Sequence, residues 1–152
     1  MKPSVRRCLL FISLFLLYGG TVEHCMGQVI FPSSEGEKAK FTAYIEMPRG
    51  YISGICVLAY DEGVVKGCLF NEFGITALDF SYDIQKQKVK LHSVIKMMDK
   101  WYIRRVLKKD LRQLMRCLRD TPCESSAQVF EYRNERHHII YQFTPMEEEL
   151  KD

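Results

Sequence analysis

The side chains best suited to chemistry are few, and their spacing does not suit catalysis. Beyond residue 27 the thiols are Cys56, Cys68, Cys117 and Cys123, and the imidazoles are His92, His137 and His138. A zinc site takes its ligands in CxxC-type pairs or with histidines close by. Neither cysteine pair has that spacing, so no metal is expected. Cys117 and Cys123 flank the end of a helical stretch and could close a short loop, which makes them the disulfide candidates in an export compartment. Cys56 and Cys68 are expected opposite each other in a hairpin, where a direct bridge is strained. His137 and His138 are expected in a strand and so on opposite faces, leaving at most one for any site. There is no Ser-His-Asp or Cys-His signature and no glycine-rich phosphate loop. The expectation is a protein that is not an enzyme and carries no cofactor. The rival expectation is a hydrolase centred on His137 or His138.

What remains is chemistry of binding, carried by apolar and cationic arrays. Tyr51–Tyr60 and Val64–Asn71 alternate as two strands around Asp61-Glu62-Gly63. A three-residue turn with Gly63 at positive φ pairs Ala59 with Val65, Val57 with Gly67 and Ile55 with Leu69. That face is wholly apolar, and the opposite face of Tyr60, Leu58, Cys56 and Phe70 is nearly so. An antiparallel sheet with one solvated face should be polar there, so both faces are expected to be covered. The expected ligand-cavity lining is Ile55, Val57, Val65 and Leu69, with Leu78 and Phe80 from the next strand. The cationic array lies between Lys96 and Arg119, which hold nine basic and two acidic residues. On a helical wheel Arg105, Lys108, Lys109, Arg112 and Arg116 share one arc opposite a stripe of Ile103, Leu107, Leu111, Leu114 and Leu118. Such a face suits an anionic membrane surface or an acidic protein partner. Nucleic acid is not expected, because the aromatic interleaving of a stacking platform is missing.

The elements that position these arrays follow from hydrophobic periodicity. Five strands are expected in a meander: 41–47, 51–60, 64–71, 75–83 and 88–95. A helical segment follows over 96–119, with Trp101-Tyr102 dividing a short piece from a longer one, and Thr121-Pro122 ends it. Two more strands follow over 128–133 and 137–144. The expected fold class is α+β: an antiparallel curved sheet or incomplete β-barrel of about seven strands packed on a helical segment.

The chain is 152 residues long, enough for one domain, with 47% hydrophobic and 27% charged residues. Wholesale disorder and a polytopic membrane protein are both excluded by that composition. Its first 27 residues have the outline of an export signal. Lys2, Arg6 and Arg7 precede the apolar core Cys8–Tyr18, which is shorter than the ~20 residues of a bilayer-spanning helix. Small residues before Gln28 suit cleavage there. Cys25 is the candidate for lipidation, although Glu23 and His24 before it are neither small nor uncharged. Residues 1–27 carry three basic and one acidic residue, so the remainder is close to neutral. The expected organisation is a signal over 1–27, a linker over 28–37, one α+β domain over 38–145 and an acidic tail over 146–152.

Gly67-Cys-Leu-Phe-Asn-Glu-Phe-Gly74-Ile-Thr-Ala-Leu-Asp-Phe80 reads as strand, Phe-Gly turn and strand. With the preceding meander, the following basic helix and the leading signal, the chain resembles LolA and LolB, the lipoprotein carriers and receptors of Gram-negative envelopes, over roughly 38–144. The resemblance implies a half-barrel with a helical lid and an apolar cavity for acyl chains. It implies residence in the periplasm or at the periplasmic face of the outer membrane, with acyl chains or a lipoprotein as partner. It places no family binding residue on a matching motif. The alternative function is an interaction module that docks an envelope protein through its apolar sheet face.

Overall fold

The computed structural model describes residues 29–121 and 129–147. The expected signal segment, Cys25, Cys123 and most of the acidic tail lie outside the described residues. Seven strands and one long helix follow in chain order. They are β1 (Lys38–Met47), β2 (Gly50–Asp61), β3 (Val64–Asn71), β4 (Thr76–Asp83), β5 (Lys88–Val94), a 3₁₀ turn (Lys96–Met98), α1 (Trp101–Arg119), β6 (Phe130–Asn134) and β7 (Ile139–Pro145). Trp101 does open the longer helix after a short turn. All pairings are antiparallel, in the order β5-β4-β3-β2-β1-β7-β6. The sheet curls into a half-barrel, and α1 approaches both of its edge strands, β5 and β6.

Alternation explains the curl's inner face. Phe41, Ala43 and Ile45 of β1 are fully buried, while Thr42 and Glu46 on the opposite face are exposed. Leu107, Leu111, Leu114, Met115 and Leu118 of α1 are at most 1% exposed and lie in the concave side. Burying each leucine contributes about 1.5–3 kcal/mol. The helix therefore fills the half-barrel rather than roofing an empty one.

The β2–β3 register departs from the expectation by one residue. Asp61 pairs with Val64, so the turn is Glu62-Gly63 alone, with φ of 47° and 82°. Two successive positive φ values are the mark of a type I′ hairpin, whose twist matches that of its strands. A glutamate seldom takes positive φ. Here its backbone N–H donates to Glu35 Oε1 at 2.7 Å, a contact from the linker that braces the turn. Because side chains alternate with period two, the slip moves every β3 side chain to the other face relative to β2. The true partners are Cys56 with Leu69, Leu58 with Gly67 and Ile55 with Phe70.

A second correction concerns the last hairpin. His137 and His138 lie in the four-residue turn between β6 and β7, not in a strand. His138 has φ of 53° and takes the same fourth position as Gln87, at 51°, in the β4–β5 turn. Alternation therefore does not govern where the two rings point.

Candidate functional site

The register divides the six expected cavity residues. Val65, Leu69, Leu78 and Phe80 point inward and are at most 1% exposed, packed in the core. Ile55 points outward and is 44% exposed, and Val57 shares that outer face. The six do not line one face, and the four inward ones line no open cavity. The Phe80 ring covers Gly67: a Cβ at Gly67 would stand 2.3 Å from it. The expected Cys56–Cys68 juxtaposition fails for the same reason. Cys56 faces the core and Cys68 the outside, and both are unbridged. Burial pushes the Cys56 thiol up to about 12 and also raises that of Cys68. Neither is a thiolate near neutral pH, which is the form a nucleophile or metal ligand needs. Cys117 is exposed at the end of α1, and its expected partner Cys123 lies outside the described residues.

The cationic array is brought together as expected. Arg105, Lys108, Lys109, Arg112 and Arg116 are all exposed along one side of α1. Arg116 Nε donates to Gln87 Oε1 at 2.8 Å. No described carboxylate pairs with the other four.

An open cleft appears where the sequence offered no motif. It has a volume of about 440 Å³, within the range of small-molecule sites. The β1–β2 turn, the 3₁₀ turn, the start of α1 and the β6–β7 turn enclose it at one end of the half-barrel. Met47, Met97, Ile103, Val106 and Ile139 give it an apolar interior, and Tyr102 borders it. Arg49, Lys100 and His137 add three basic side chains, and its lining holds no carboxylate. None of the three has an ion-pair partner among the described residues. Lys100 is also the N-cap of α1, with no side-chain cap on the first turn and no acidic residue in it. The unsatisfied N–H groups and the helix dipole add partial positive charge there. An apolar interior beneath a positive mouth is the arrangement that accepts an amphiphile with an anionic head.

Asp110 is the functional-looking residue the sequence reading missed. It is fully buried on the leucine side of α1. Asn134 Nδ2 donates to both its oxygens, at 2.9 and 3.0 Å, and Tyr141 Oη donates to Oδ2 at 2.8 Å. Burial, and then the Asp110 charge, raise the pKa of Tyr141 and of nearby Tyr132. Both phenols therefore stay protonated donors. The signal was legible: Asp110 follows Leu107 by three residues and so falls inside the buried stripe. Its lone pairs are engaged by groups of α1's own packing partners, so the cluster ties α1 to β6 and β7.

No protein-family model matches the chain, and no curated protein or solved structure matches it. Among the described residues no group of three histidine, cysteine or acidic side chains could hold a metal ion.

Proposed function

We propose that this is an exported, non-enzymatic envelope protein that binds an acyl chain, free or carried on a lipidated protein, in the end cleft of its half-barrel. The carrying observation is the pairing of an apolar 440 Å³ cleft with Arg49, Lys100 and His137 and no carboxylate. The N-terminal signal outline supports the compartment, and the sequence's resemblance to lipoprotein carriers in strand and helix order supports a role in lipoprotein localisation. The occupant would put its chain against Ile103, Val106 and Ile139 and its anionic head against Arg49 and Lys100.

The fluorescent C18 fatty acid cis-parinaric acid tests this. The chain should take it up, and the neutral methyl ester should bind roughly 5–10-fold more weakly for want of the charge contacts. Val106→Phe, which fills the cleft, should abolish uptake while leaving the thermal midpoint near that of the wild type. No uptake by the wild type, or uptake indifferent to Val106→Phe, would overturn the reading. The rival reading, a module that docks a protein through its sheet, draws on the outward pair Ile55 and Phe70, at 44% and 37% exposure. It takes the lead if parinaric acid is refused.

A further inference from the structure

Antiparallel register places several separate segments at one end of the half-barrel. The β1–β2, β3–β4 and β6–β7 turns, the exit of β5 and the start of α1 all lie there. Of the nine exposed large hydrophobic side chains among the described residues, seven belong to that end. Ile55 stands midway along β2, and Val129, ahead of β6, lies at the other end.

The two most exposed are Phe73 at 77% and Trp101 at 76%. Phe73 and Ile75 project from the β3–β4 turn, and this turn is held. Asn71 Oδ1 accepts the N–H groups of Phe73 at 3.0 Å and Ile75 at 2.8 Å, while the backbone of Asn71 bonds to both Gly74 and Ile75. Trp101 and Tyr102 project from the start of α1, their rings edge to face at 5.9 Å. Met97 joins this group to the β1–β2 turn: its Cε lies 3.6 Å from where a Cβ of Gly50 would stand. Tyr51 follows that turn, and Ile55 and Phe70 are partners close to the end of the β2–β3 ladder.

Scattered exposed hydrophobics need no explanation, but a cluster of this kind does. Its composition selects the occupant. Tryptophan and tyrosine, with an apolar body and a polar tip, concentrate at the level of lipid headgroups. Arg49, Lys96 and Lys100 stand in the same segments, where they would meet anionic headgroups. The side chains project from several turns as separate tips, which suits a fluid interface better than a flat protein surface.

We infer that the protein meets an anionic bilayer end-on, inserting the Phe73 and Trp101 tips so that its cleft opens onto the membrane. This deepens the acyl-binding reading and rests on it for the purpose of the contact. It also reassigns the basic side of α1. Arg112 and Arg116 lie about 16 and 22 Å along the helix from Trp101. Both distances exceed the Debye length of about 8 Å at physiological salt. In an end-on pose these two side chains do not hold the membrane.

Trp101 is the chain's single tryptophan, so its emission reports on this end alone, in the full-length chain and regardless of the N-terminal apolar stretch. Vesicles of phosphatidylglycerol and phosphatidylcholine should shift that emission to shorter wavelength, and brominated acyl chains in them should quench it. Phe73→Ser and Ile75→Ser should each lower the partitioning read by this quenching about tenfold. The pair Arg112→Glu and Arg116→Glu should change it less than about twofold. Emission that stays unshifted and unquenched overturns the inference, whether or not the chain sediments with vesicles. Quenching lost on the helix charge reversal but kept in Phe73→Ser overturns it in favour of side-on binding. Parinaric acid uptake separates the two readings: uptake without quenching removes the end-on contact and keeps the cleft, and quenching without uptake does the reverse.

Discussion

Asp110 shows how much a single buried carboxylate demands of its surroundings. Taken out of water, it is stable only because Asn134 and Tyr141 present three donor contacts to it. Asp110→Ala should therefore cost about 3 kcal/mol in urea denaturation, since it strands the buried Tyr141 hydroxyl and unpairs the half-buried Asn134 amide. Asp110→Leu combined with Tyr141→Phe should recover part of that loss, because both ends of the polar contact are then removed. Equal destabilisation in the single and double variants would show that the cluster does not act as a unit. The residue scale is also where histidine misled: two adjacent histidines before an alternating run look like strand, yet His138 is the positive-φ closing residue of a turn.

At the scale of elements, the β2–β3 hairpin decides most. Its strands were legible to within a residue or two because two apolar runs, Tyr51–Tyr60 and Val64–Asn71, flank the polar turn residues Asp61-Glu62-Gly63. Its register was not, because the sequence Asp61-Glu62-Gly63 permits either a two- or a three-residue turn. The observed register buries Val65 and Leu69 against the rest of the core, and its two-residue turn is braced by Glu35, 27 residues away in the chain. That one slip set Cys56 and Cys68 on opposite faces and placed Gly67 beneath Phe80. Gly67→Ala should destabilise by about 1–3 kcal/mol, the cost of overpacking a filled core, because its new methyl meets the Phe80 ring. The further change Phe80→Leu should relieve the clash, and thermal melts of the two variants check both statements. No loss in Gly67→Ala would mean that β3 and β4 pair in another register.

At the scale of the whole molecule, α1 occupies the half-barrel and β7 returns beside β1, so core residues become accessible only when the sheet opens. Cys56 records this. Its thiol is held at about 12 in the fold against 9.0 for an unperturbed one. A raised folded pKa contributes stability that is present below pH 9 and is lost as pH rises toward 12, since the opened chain can ionise the thiol and the folded chain cannot. Denaturation midpoints of the wild type should fall more steeply over pH 9–12 than those of Cys56→Ala. Parallel curves would place Cys56 in contact with solvent. The same enclosure moved the candidate ligand site. With Val65, Leu69, Leu78 and Phe80 sealed under α1, the cleft forms instead at the end where turns from distant parts of the chain converge.

Local pattern by itself determined the α+β class, seven strands in sequence, the start of the long helix at Trp101 and the cationic side of that helix. Each is written in neighbouring residues: period two for strands, period 3.6 for the helix, glycine and proline at the breaks. The β2–β3 register, the filling of the half-barrel by α1, the Asp110 cluster and the end cleft were decided only by tertiary structure. Each joins residues far apart in the chain, Glu35 with Glu62, Asp110 with Tyr141, Arg49 with His137. Periodicity tells a residue which side of its own element it occupies, but which other element meets that side is settled only when the apolar faces close on one another.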